Sequence, residues 1–254
     1  MRWVLLRGLL REQRHWGHFP QQLAEALSLS GGDLVPLDLP GMGTEASRRF
    51  PMSLEKVVDD LRERLGLRIG EKVVIFSMSL GSMCALQWAQ SYPDEIAGLV
   101  VINTSASDLS SLKERLTLSA MKAFSRVMRV SDAEEREDII LKLTSNLRAY
   151  DPALARKWAS FAPTKKQLLK VGLRQLLIAA RFRAPSKIEV PALILSSVAD
   201  RLASPESSAR LAKRYGVENH VHLEAGHDIV LDDPEWIIRK TVEWKDRFLR
   251  SQQA

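Results

Sequence analysis

A single cysteine, Cys84, in 254 residues excludes any internal disulfide framework. Its place on an apolar stretch implies a buried, unreactive thiol, and a reducing cytoplasm is the expected location. Long apolar runs are lacking too. The N-terminal stretch Trp3-Val4-Leu5-Leu6 is followed at once by Arg7 and Arg11, so it is too short and too charged for a membrane span or a secretory signal and reads as a first strand. Aromatic residues are scarce at 6%, and no tract interleaves them with basic residues, so nucleic-acid binding is not expected despite a formal net charge of +6. Internal repeats, low-complexity tracts and long linkers are absent. What remains is a chain 45% hydrophobic, enough at this length for one large core with an inserted lobe.

The charge is unevenly placed. Ser110 to Lys187 holds 17 Lys and Arg against 7 Asp and Glu, while the rest of the chain is slightly acidic. A solvated helical surface accounts for most of this excess, and a basic face there would also steer acidic partners or anionic substrates. Lys165, Lys166, Lys170 and Arg174 recur at one-turn spacing and make a local positive strip.

Strand and helix signals alternate through the first hundred residues: Trp3–Arg7 extended, Phe19–Leu27 helical, Leu34–Leu37 extended, Leu54–Leu65 helical, then Val73–Phe76, a helix from Met83 and the strand Leu99–Ile102. Alternation of this kind predicts an α/β fold with a mostly parallel sheet flanked by helices. From Ser110 to about Arg183 only helical patterns occur, with start signals at Ser131…Glu134, Thr164…Gln167 and Asp151-Pro152. Alternation then resumes with Ala192–Ser196, Glu206–Tyr215, His220–Leu223 and Trp236–Phe248. The expected organisation is one α/β core, residues 1–109 and 184–254, interrupted by an all-helical cap over 110–183. In that cap Leu112, Leu116, Phe124, Val127 and Met128 form an apolar stripe that must face the core or a ligand.

Ser77-Met78-Ser79-Leu80-Gly81 is the most informative stretch, because it joins the run Val73–Phe76 directly to a helix. A serine at the tip of such a turn is held in a strained backbone conformation that lifts its hydroxyl clear of the sheet, provided the residues two before and two after are small. Only the frame centred on Ser79 meets that condition. Ser79 is therefore the candidate nucleophile. It needs a base, and the base needs an acid to fix its tautomer. Asp200 follows the strand Leu193–Leu195, and Ser204 with Pro205 is expected to start the next helix, which leaves Asp200 free to serve as the acid. Asp108, just after the preceding strand, is the second choice. His227, in Ala225-Gly226-His227-Asp228 beyond the last strand, is the candidate base, whereas His220 and His222 lie within a strand and read as structural. Oxyanion donors are expected at the Leu80 amide, on the N-terminus of the elbow helix, and at the Leu9 amide, with Gly8 permitting the tight approach. Arg11, Arg14, His15 and His18 on the same loop are placed at the entrance or in solvent.

These residues together resemble the α/β-hydrolase superfamily over nearly the whole chain: Arg7-Gly8-Leu9-Leu10 after the first strand, Asp38-Leu39-Pro40-Gly41-Met42-Gly43, the elbow, Asp200 and Gly226-His227. The length, the helical cap and Ser-Leu-Gly at the elbow are most similar in architecture to pimeloyl-acyl-carrier-protein methyl ester esterases. The resemblance implies an α/β-hydrolase fold and a serine hydrolase of small-molecule carboxylic esters or thioesters with no cofactor and no metal; an acidic acyl carrier protein would suit the basic cap. A triad-dependent lyase or C–C hydrolase acting on an anionic carbon acid is the alternative, and a non-catalytic binding protein on the same scaffold a second one. Two departures stand out. Ser77 replaces the glycine usual in the elbow, and Arg7 replaces the histidine usual before the oxyanion glycine, which puts a permanent cation beside that loop.

Overall fold

The computed structural model describes residues 1–251. The elements run β1 (Trp3–Leu6), α1 (Phe19–Ala26), β2 (Leu34–Leu37), α2 (Leu54–Leu65), β3 (Val73–Met78), α3 (Leu80–Ser91) and β4 (Ile96–Ile102). Five helices follow in succession, α4 (Leu112–Arg115), α5 (Leu118–Arg129), α6 (Ala133–Thr144), α7 (Pro152–Ala159) and α8 (Lys165–Arg181). The chain closes with β5 (Ala192–Ser197), α9 (Glu206–Tyr215), β6 (Asn219–His222), α10 (Ile229–Asp232) and α11 (Pro234–Ser251). The strands form one sheet in the order β2-β1-β3-β4-β5-β6. Every pairing is parallel, as expected for strands joined by helical crossovers.

Alternate residues of the central strands feed two cores. Val4, Leu6, Val73 and Ile75 pack on the face covered by α2, α3 and α9, with Leu61, Trp88 and Leu211 fully buried against them. Trp3, Leu5, Val74 and Phe76 pack on the opposite face with Leu23 of α1 and Ile237 and Trp244 of α11. Burial on both faces explains why these strands read as continuous apolar runs. A smaller cluster, Val127, Ile139 and Leu168, joins α5, α6 and α8. Among the described residues no helix is long and apolar enough to cross a membrane.

Helix starts depart from the sequence expectation in two places. The N-cap of α6 is Asp132 rather than Ser131, its carboxylate accepting the Glu135 amide at 2.8 Å. Pro205 caps α9 without a side-chain bond, and the Ser204 hydroxyl turns to Glu206 instead. The hydroxyl donates to that carboxylate, while the Ser204 carbonyl accepts the Ser207 amide at 3.1 Å. Thr164 and Asp151 do cap α8 and α7, by accepting the Gln167 and Leu154 amides. Cys84 is fully buried in α3, and burial pushes its thiol up to about 12.

Candidate active site

The carboxyl ends of β1, β3, β4 and β5 converge on one side of the sheet, where ligands bind in open parallel folds. Ser79 sits between β3 and α3 with φ 55° and ψ −120°, a conformation that costs a non-glycine residue free energy on the order of 1–3 kcal/mol. Several bonds hold it there: the Ser79 amide donates to the Ile102 carbonyl at 2.8 Å, and its carbonyl accepts from Thr104 Oγ1 at 2.9 Å. Two glycines make the turn possible. A Cβ on Gly81 would lie 2.5 Å from the Leu6 carbonyl oxygen, and one on Gly8 would lie 3.0 Å from Ser79 Cβ. Ser77 is tolerated where glycine is usual because its hydroxyl points sideways, donating to the Val100 carbonyl at 2.9 Å.

His227 Nδ1 lies 2.7 Å from Asp200 Oδ2, with both side chains almost wholly buried. The carboxylate accepts, so Nδ1 carries the proton and Nε2 is left as an acceptor. Asp200 is itself oriented, its Oδ1 accepting the amides of Leu202 at 2.7 Å and Ala203 at 3.0 Å. The His227 backbone is fixed by Asn103, at the end of β4, whose Nδ2 donates to the His227 carbonyl at 2.7 Å while its Oδ1 accepts the Ser197 amide. Burial works against the charged ring, but the Asp200 carboxylate outweighs it with help from Asp228, so the pKa of His227 is raised above the ordinary imidazole value. Asp108 is elsewhere, paired with Arg214 at 2.5 Å and accepting the Ala184 amide.

Ser79 and His227 line the same two cavities, together with Leu9, Phe124 and Leu202. Among the described residues Ser79 Oγ has no hydrogen-bond partner, and neither do the amides of Leu9 and Leu80. A free hydroxyl, a ring acceptor and two free amides therefore meet around one space, the arrangement that acyl transfer requires. The larger cavity, about 230 Å³, is walled by Leu112 and Leu116 as well as by Met83 and Leu176, and Arg115 lies on its rim. The apolar stripe of the inserted helices thus divides. Leu112, Leu116 and Phe124 face the cavity, whereas Val127 and Met128 pack against α6 and α8.

Three features of the loop after β1 were not foreseen. Arg7 is no free cation beside the oxyanion donors: its guanidinium is buried and pairs with Asp228, Nη2 to Oδ2 at 2.5 Å. Arg11 is buried rather than solvated, pairing with Glu137 of α6 at 2.6 Å and lying over the Trp158 ring. His15 is buried against Trp158 and Phe161, and burial together with Arg11 and Arg7 holds its pKa well below the ordinary value. Of Arg11, Arg14, His15 and His18, only Arg14 and His18 are exposed. The signal available was the four-residue spacing of Arg7, Arg11 and His15 beside Trp16, but the carboxylates that pair with the two arginines lie more than a hundred residues away.

Residues 11–234 match the family described as serine aminopeptidase, S33. The chain belongs to that hydrolase family. It is an α/β-hydrolase, and solved structures agree in fold. An esterase from Thermogutta terrifontis is 19% identical with a TM-score of 0.72, covering 98% of this chain and 90% of its own. A meta-cleavage product hydrolase from Pseudomonas fluorescens is 17% identical with a TM-score of 0.76, over 97% and 91% of the two chains. An enol-lactonase from Burkholderia xenovorans is 18% identical with a TM-score of 0.74, over 96% and 91%. No curated protein matches the sequence. At these identities the likeness carries the fold and leaves the chemistry to the site.

Proposed function

We propose that this α/β-hydrolase cleaves carboxylic esters or thioesters through an acyl-enzyme on Ser79, with His227 as base and Asp200 as its orienting acid. The carrying observation is the strained Ser79 at the elbow sharing its cavity with His227, whose Nδ1 is bonded to Asp200. His227 Nε2 takes the hydroxyl proton as Ser79 Oγ attacks the carbonyl, and the Leu9 and Leu80 amides receive the developing oxyanion. Collapse expels the alcohol or thiol, which takes the proton from His227. Water then repeats the sequence and releases the acid. No step needs a cofactor. The apolar walls of the 230 Å³ cavity suit an aliphatic acyl group.

Residues 110–183 act in this reading as a cap over the site, and the groove formed by Arg49, Lys166, Lys170 and Arg174 is where an anionic partner such as an acidic acyl carrier protein would dock. The lone buried thiol suits the cytoplasm. The carbon-acid alternative is less well supported, because the guanidiniums lining the cavities are already engaged: Arg7 with Asp228, Arg11 with Glu137, and Arg115 with the carbonyls of Ala179 and Ala180. Ser79→Ala tests the reading. Hydrolysis of p-nitrophenyl esters should fall at least about a thousandfold with the melting temperature unchanged; near-normal turnover would remove Ser79 from the chemistry.

A further inference from the structure

The Arg7 guanidinium touches the chain neighbours of both reactive residues. Its Nη2 lies 2.5 Å from Asp228 Oδ2 and its Nη1 3.2 Å from Oδ1, a bidentate pair with the residue that follows His227. The same Nη1 lies 3.0 Å from Met78 Sδ, on the residue that precedes Ser79. Arg7 is also two residues before Leu9, the proposed oxyanion donor. Trp16 packs over the guanidinium at 4.6 Å and is itself held by Phe19 and Phe76, so the cation has little freedom. Asp228 is equally constrained. Its amide donates to the Thr144 carbonyl at 2.7 Å, and its Oδ1 accepts the Leu231 amide at the start of α10. Side-chain exposure is 3% for Arg7 and 5% for Asp228, so neither charge is solvated and each depends on the other.

From this geometry we infer that the Arg7–Asp228 pair is a positioning device, a buried strut that fixes the Leu9 amide, Ser79 and the His227 ring at one mutual spacing and balances the field on that ring. The inference rests on the proposed role of Ser79 and His227. A bidentate arginine is suited to the task because a planar fork on a carboxylate fixes angle as well as distance, which a lysine or a neutral histidine would not. The charge arithmetic is as important as the geometry. The charged groups bearing on the His227 ring are Asp200 from the loop after β5, Asp228 from its own segment and Arg7 from the end of β1; the two carboxylates favour imidazolium and Arg7 opposes it. With both partners present the strut adds rigidity while its two charges act on the base in opposite directions.

The test is the pH dependence of kcat/KM for a p-nitrophenyl ester in Arg7→Gln, Arg7→Lys, Asp228→Asn and the double variant Arg7→Gln/Asp228→Asn, with melting temperatures measured in parallel. Only neutral His227 can accept the serine proton, so the acidic limb follows its pKa. Asp228→Asn removes an anion and should move that limb to lower pH by about half a pH unit, while Arg7→Gln removes a cation and should move it upward by a similar amount. The double variant should return the limb towards wild type. All of them, including Arg7→Lys, which keeps the charge but not the fork, should lose on the order of tenfold to a hundredfold in kcat through lost alignment, with KM changed far less. Should Arg7→Gln fail to fold, Arg7→Lys and the double variant carry the test. Folded variants with an unmoved limb and kcat within about twofold of wild type would overturn the inference and leave the pair a purely structural contact. Failure of the parent reading would show separately, as turnover retained by Ser79→Ala in the otherwise unchanged protein.

Discussion

Replacing Asp200 by asparagine should nearly abolish turnover while preserving shape, and the local hydrogen bonds say why. Oδ1 of Asp200 accepts two backbone amides, Leu202 at 2.7 Å and Ala203 at 3.0 Å, and Oδ2 faces His227 Nδ1 at 2.7 Å. An asparagine must keep its carbonyl oxygen towards the two amides, since turning the NH2 group to them forfeits two bonds worth about 1 kcal/mol each and leaves buried donors opposed. Its NH2 therefore faces His227 and can only donate. Nδ1 becomes the acceptor, the ring proton moves to Nε2, and the nitrogen that should take the serine proton is blocked. The carboxylate that stabilises the imidazolium is lost as well. Together these effects should cost about 10³–10⁴ in kcat, or about 4–5.5 kcal/mol of transition-state stabilisation. The assay is kcat for a p-nitrophenyl ester on the pH plateau, with near-ultraviolet circular dichroism to confirm the native packing. Turnover within tenfold of wild type would refute both the tautomer argument and the assignment of Asp200.

Asp108→Asn, by contrast, should keep kcat within about twofold, because Asp108 serves Arg214 and the Ala184 amide; its effect should appear as a modest fall in melting temperature. The acidic limb of kcat/KM in the wild-type protein should lie above the ordinary histidine value, since the pKa of His227 is raised, activity being full above that limb and lost as pH falls through it; a limb below pH 6 would contradict the field described around the ring. Exchange of Lys166 and Lys170 for glutamate should lower kcat/KM for an anionic substrate, narrow with added salt, and leave a small neutral ester unaffected. Equal losses on both substrates would show general damage to the helices over the site.

The fold and the residues proposed for the chemistry stood out in the sequence because local rules govern most of them. Strand runs buried on both faces and an elbow that admits only small neighbours around Ser79 leave marks within short windows, and Asp200 and His227 each follow a strand signal. Element bounds moved by at most three residues, as at β4, which begins at Ile96 rather than Leu99 because the pairing of Val73 with Ile96 extends it. The buried ion pairs were not legible. Arg7 meets a carboxylate 221 residues away and Arg11 one 126 residues away, and nothing in a short window distinguishes a paired, buried arginine from a solvated one. The departure from histidine at position 7 was visible, but its compensation by Asp228 exists only in three dimensions.

The same long-range pairing changes how the inserted helices should be regarded. The loops that carry Asp200 and His227 do not stand on the sheet alone. Asn146, just beyond α6, donates through Nδ2 to the carbonyls of Ala199 and Glu224 at 3.1 and 2.8 Å, and Arg201 donates to the Ser145 carbonyl at 2.7 Å. The Asp228 amide bonds to the Thr144 carbonyl, and Arg11 ties the loop after β1 to Glu137. Each of these contacts joins α6, or the turn that follows it, to a segment that carries or adjoins a residue proposed for the chemistry. Lifting the insertion as one rigid lid would break them together and separate His227 from its supports. The start of the insertion is bound to the same loop, since the Ser204 amide donates to the Glu114 carbonyl at 2.7 Å and the Thr117 amide to the Leu202 carbonyl at 3.0 Å, so displacing either α4 or α6 disturbs the segment that carries Asp200.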